Sequence, residues 1–125
     1  MPLPSRIVVS EQKNALNVEY QGDVRFNLSA EYLRVFSPSA EVRGHGRGQE
    51  VLQVGMRHVL IQSLQQSGNY AIQISFDDGH DSGIFTWDYL FELGSNQTDN
   101  WADYLRRLHS ANQSRDPDTQ VVRLS

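Results

Sequence analysis

Two short stretches hold the side chains best suited to chemistry. Asp77-Asp78-Gly79-His80-Asp81 places three carboxylates and an imidazole within five positions, a possible donor set for a divalent cation. The distant glutamate that closes an EF-hand loop is missing, and no threonine stands between Asp78 and Gly79 as in an aspartic protease. Asp-Gly is also the ordinary tip of a β-hairpin, so the same residues fit a cation site and a bare turn. The second stretch is Arg43-Gly44-His45-Gly46-Arg47-Gly48. Its glycines let successive backbone N–H groups converge on an anion, and its arginines add positive charge. The Gly-Lys-Ser/Thr ending of a P-loop is absent. The stretch reads either as a solvated loop or as an anion contact, with Arg43, His45, Arg47 and Tyr89 as the candidate binding surface. No Gly-x-Ser-x-Gly elbow occurs, and no spacing sets a serine beside any of the four histidines. With no cysteine, disulfides, thiolate nucleophiles and thiolate metal ligands are excluded. No catalytic constellation is recognised, and the chain is expected not to be an enzyme.

The elements that must carry these residues follow from hydrophobic period. Leu16, Val18 and Tyr20 alternate with polar residues, as do Val24, Phe26 and Leu28 after the turn Gln21-Gly22-Asp23. Ile7-Val8-Val9 reads as an earlier strand. Ser29 is placed to cap a short helix carrying Tyr32, Leu33 and Phe36, which Pro38 stops. Residues 58–65, 70–76 and 83–85 read as further strands, with Asp78-Gly79 turning the last hairpin. Residues 87–93 predict a helix stopped by Gly94, and 101–109 a second with Trp101, Leu105 and Leu108 on one stripe. Asp103 and Arg107 stand one turn apart on it. Trp87, Tyr89, Phe91 and Trp101 fall at helical spacing and are expected in the core. The predicted fold is α+β, a mainly antiparallel sheet of five or more strands with short helices packed on it. Residues 1–110 form the expected domain. Residues 111–125 are polar enough to read as a disordered tail, apart from Val121, Val122 and Leu124.

A length of 125 residues fits one domain. The net charge of -4 opposes general nucleic-acid binding, which needs cations to displace counterions from a polyanion. No apolar run approaches the roughly 20 residues of a membrane span, and no signal-peptide pattern opens the chain. A cytoplasmic location, without membrane or nucleic-acid partners, is the expectation.

Three segments together carry a resemblance. They are Leu33-Arg34-Val35-Phe36-Ser37-Pro38-Ser39-Ala40-Glu41-Val42-Arg43-Gly44, then Gly68-Asn69-Tyr70-Ala71, then Phe76-Asp77-Asp78-Gly79-His80-Asp81-Ser82-Gly83-Ile84-Phe85-Thr86-Trp87-Asp88-Tyr89-Leu90. The combination resembles the gamma-butyrobetaine hydroxylase-like N-terminal domain over about residues 7 to 95. Small bacterial members of that family are catalogued as domains of unknown function. In the hydroxylases the domain precedes an iron- and 2-oxoglutarate-dependent oxygenase, and no His-x-Asp…His iron triad is present here. The resemblance also implies a structural zinc on three cysteines and a histidine, which fall on Ser37, Ser39, Val42 and His80. Only the histidine is retained, so no metal is expected and His80 is expected to hydrogen-bond the Ser37–Ser39 loop. No cofactor is implied. The resemblance points to an accessory module that binds an unknown protein partner or forms a homodimer. The alternative is a metal-binding protein linked to iron or iron–sulfur metabolism.

Overall fold

The first three strands form a meander because each carries strand-favouring apolar residues, alternating with polar ones in the second and third, and is joined to the next by a turn. β1 (Arg6–Val9), β2 (Ala15–Glu19) and β3 (Arg25–Ser29) pair antiparallel in that order, with Leu16 opposite Leu28 and Val18 opposite Phe26. Gly22 and Asp23, at φ 82° and 63°, turn the chain between β2 and β3. The computed structural model describes residues 2–44, 46 and 48–117.

β4 (Ile61–Ser67), β5 (Ala71–Phe76) and β6 (Gly83–Thr86) make a second antiparallel meander. The expectation of one sheet of five or more strands is therefore corrected. Among the described residues, six strands form two three-stranded sheets. Two helices and an irregular stretch separate β3 from β4. The sheets instead meet through side chains, because Leu16, Val18 and Leu28 enter the same buried cluster as Ile61, Ile74, Phe76 and Phe85. A backbone bond from Ile61 N–H to the Lys13 carbonyl, 2.8 Å, ties β4 to the turn after β1. Each fully buried Leu, Ile or Phe of this cluster contributes about 1.5–3 kcal/mol.

Helix α1 (Ala30–Val35) starts where Ser29 Oγ accepts the Tyr32 N–H at 3.0 Å. A four-residue helix, α2 (Ala40–Arg43), follows Pro38 and leads into Gly44 at φ 70°. α3 (Trp87–Ser95) is capped by Thr86. It runs through Gly94, which was expected to stop it. Gly94 serves proximity instead: the Phe26 ring occupies the place of its missing Cβ. α4 (Gln97–Ser110) starts earlier than expected. Its buried stripe is Tyr104 and Leu108, with Trp101 half-buried, whereas Leu105 is 41% exposed.

Residues 111–117 of the stretch expected to be disordered are placed. Gly55 and Arg57 donate their N–H groups to the Ser114 and Arg115 carbonyls at 3.0 Å each. Arg115 grips Glu31 with two hydrogen bonds, 2.7 and 2.6 Å, and its guanidinium lies 5.0 Å from the Trp101 ring centre. Val121, Val122 and Leu124 lie outside the described residues. Among the described residues, no helix is long and apolar enough to cross a membrane.

Candidate functional site

The acidic hairpin is built as a turn. Asp78 Oδ1 accepts the His80 N–H at 3.1 Å, and the Phe76 N–H donates to the His80 carbonyl at 2.9 Å. Its carboxylates are spent separately. Asp77 accepts the Leu60 N–H at 2.9 Å, Asp78 Oδ2 accepts from Arg34 Nε at 2.9 Å, and Asp81 is exposed. Arg34 also donates to Gln53 Oε1 at 2.9 Å, so one buried guanidinium joins α1, the hairpin and the segment before β4.

The turn aims His80 inward at the linker between α1 and α2. Ser37 Oγ lies 2.8 Å and Ser39 Oγ 3.4 Å from Nε2, while Nδ1 is 3.4 Å from Glu41 Oε2. Ser37, Ser39, Val42 and His80 are all buried. Burial holds the imidazole below its ordinary value of 6.5, and the Arg34 guanidinium pushes the same way against the pull of Glu41 and Asp78. A neutral ring fits the geometry: Nδ1–H faces Glu41, and Nε2 accepts the Ser37 hydroxyl proton.

These four residues do not fit a tetrahedral zinc. Structural zinc takes four thiolate or imidazole ligands, and here one imidazole faces two hydroxyls and a valine. Among the described residues, no cluster of three or more His, Asp or Glu is arranged to hold a metal. No local spacing sets a serine beside a histidine, but the contact of His80 with the Ser37–Ser39 loop is the one the family resemblance led us to expect. With Glu41 it makes a Glu41–His80–Ser37 relay in the order a serine hydrolase uses. Ser37 is 1% exposed, however, and Gly83 is pressed so close to its Oγ that a Cβ there would collide with it. A nucleophile needs room for an acyl carbonyl to approach. This relay acts as a latch, fastening the α1–α2 linker to the β5–β6 hairpin.

Beside the latch, a cleft of about 950 Å³ opens between α1, α2, the segment 50–53, α3 and α4. Val35, Phe36, Val42, Leu52 and Tyr104 supply apolar lining, while Arg43, Glu50, Glu92, Asp103 and Arg107 supply charge. Of the candidate surface residues, the fold brings Arg43 and Tyr89 together: the guanidinium sits 4.9 Å from the ring centre. His45 and Arg47 lie outside the described residues. Tyr89 is half-buried, and its hydroxyl donates to the Phe36 carbonyl at 2.6 Å. Burial raises its phenol above the usual tyrosine value. On the far side Arg107 lies 5.9 Å from the Phe36 ring centre, with Nε 3.2 Å from Asp103 Oδ2. That approach is out of line for a hydrogen bond and leaves the buried Nε without one. Sequence reasoning paired Asp103 with Arg107 but missed Glu41, Tyr104 and the segment 50–53 as parts of the site. Their partners are remote in sequence, and no local pattern announces them.

The family model for gamma-butyrobetaine hydroxylase-like, N-terminal, matches residues 7–91. A protein solved by NMR in solution is 51% identical over 99% of this chain and 98% of its own, with a TM-score of 0.82. A second, also solved by NMR, is 40% identical over 100% of this chain and 95% of its own, with a TM-score of 0.79. A crystal structure from Acidithiobacillus ferrooxidans, of a protein with unknown function in the DUF971 family, is 32% identical. It covers 74% of this chain and 91% of its own, with a TM-score of 0.59. No curated protein matches. With more than half its residues matched by that model, the chain belongs to the gamma-butyrobetaine hydroxylase-like, N-terminal, family.

Proposed function

We propose that this chain is a non-catalytic accessory module that recognises a protein partner through the Arg43–Tyr89 face of its cleft. One observation carries the reading. Arg43 is exposed and held over Tyr89, and among the described residues it forms no ion pair. A guanidinium held over a ring is already oriented, so less side-chain entropy is lost when it meets an acceptor. The latch supports the same reading, because it fixes the linker that leads into α2. The site chemistry does not favour the metal-binding alternative.

Affinity capture with the wild-type protein and with Arg43→Gln tests the proposal. The variant is expected to lose specific partners while keeping the wild-type NMR fingerprint of the core. Identical partner sets for both proteins would remove this face from consideration. Sedimentation velocity on the same samples shows whether the partner is a second copy of the chain.

A further inference from the structure

The charges that line the cleft identify the kind of segment it accepts. Asp103 is shared between Arg107, at 3.2 Å, and Arg106, so these charges are engaged with one another. Arg43, Glu50 and Glu92 remain, and none of them has an ion-pair partner among the described residues. Arg43 stacks on Tyr89, and Glu92 stands one turn further along α3, so the opposed charges flank a single aromatic ring. Both line the cleft and act on the Tyr89 phenol in opposite directions. Val51, also in the lining, is 52% exposed and offers an apolar contact. A purely acidic segment would satisfy Arg43 but meet Glu50 and Glu92. A purely basic one would do the reverse.

Building on the binding-module reading, we infer that the cleft recognises an amphoteric peptide segment of the partner, with a carboxylate on Arg43, a basic side chain toward Glu92 and an aliphatic residue on Val51. A carboxylate matches the planar fork of arginine, and opposite charges on one short segment give a fixed direction of binding.

The test is titration of the full chain, followed by amide NMR, with three blocked peptides: Glu-Leu-Leu-Lys, Gln-Leu-Leu-Lys and Glu-Leu-Leu-Gln. Only the first is expected to give saturable shifts at Gly44, Val51, Leu52 and Tyr89. Loss of either charge should weaken binding about 10-fold or more, the scale of one charge-assisted hydrogen bond. Arg43→Glu should abolish the advantage of Glu-Leu-Leu-Lys over its Gln variant while keeping the fingerprint of the core. Equal binding of all three peptides would overturn the inference, as would shifts confined to other surfaces or no saturable shift at all. Capture that depends on Arg43 together with peptides that fail would sink this inference alone. Capture indifferent to Arg43 would sink the binding-face reading beneath it.

Discussion

His80 shows how one residue can be retained while its task changes. Its ring is buried against Ser37, and its value is depressed, chiefly by burial. A depressed histidine is destabilising once protonated, because the unfolded chain takes up the proton more readily than the folded one. Stability is therefore expected to fall as pH drops through about 6.5 toward the lower folded value, and to be unaffected by His80 above that window. Urea denaturation from pH 8 to pH 5 on wild type and His80→Gln isolates the effect, since the other histidines are common to both. Parallel stability curves would show that the latch does not couple to protonation. Because the linker is closed by hydrogen bonds, a chelator should leave the thermal midpoint unchanged. A stoichiometric transition metal ligated by His80 in native protein would contradict that.

At the scale of elements, Gly94 decides how α3 meets the first sheet. An exposed helical glycine replaced by alanine usually gains about 0.5–1 kcal/mol. Here the Phe26 ring fills the space of the new methyl group, so Gly94→Ala is expected to cost about 1–3 kcal/mol in urea denaturation. A stabilising result would mean that the ring moves aside freely. Gly94 also marks the limit of what the sequence made legible. Alternation located β2, β3 and β5, short strand-like runs beside turn signals located the other three strands, and side-chain chemistry located the Ser29 cap, because all these signals are local. Gly94 read as a stop because its reason for being there, Phe26, is remote in sequence. The helix stripe was misassigned for a similar cause: Leu105 has the right spacing, but Tyr104 reaches the Gln53 carbonyl at 2.6 Å and takes the buried position. In the site, Arg43 and Tyr89 were each legible as candidates, while their contact depends on packing between distant elements. The meeting of His80 with the Ser37–Ser39 loop was legible through the family resemblance, not through any local pattern.

At the scale of the molecule, the two sheets and four helices of the described residues are held by a shared core and by ties between distant segments. Strand alternation sets which side chains point inward but not which edges join, so it could not show that the strands divide into two sheets. One such polar tie is Arg115 on Glu31, whose side chains are 27% and 7% exposed. Arg115→Ala would leave the Glu31 carboxylate buried without its partner, at an expected cost of about 2–4 kcal/mol. Arg106→Ala, which removes an exposed pair with Asp103, should cost under about 0.5 kcal/mol. Thermal denaturation of the two variants compares them directly, and equal effects would show that residues 113–117 contribute nothing to the fold.

The stacking of Arg115 on Trp101 also gives the protein an optical reporter. A guanidinium over an indole face alters the field felt by the excited ring, so release of residues 113–117 should shift the Trp101 emission. Trp87, whose Nε1–H donates to the Asn69 carbonyl at 2.9 Å, lies at the far hairpin and serves as an internal reference. Fluorescence of the unlabelled chain can thus follow the C-terminal segment separately from the core.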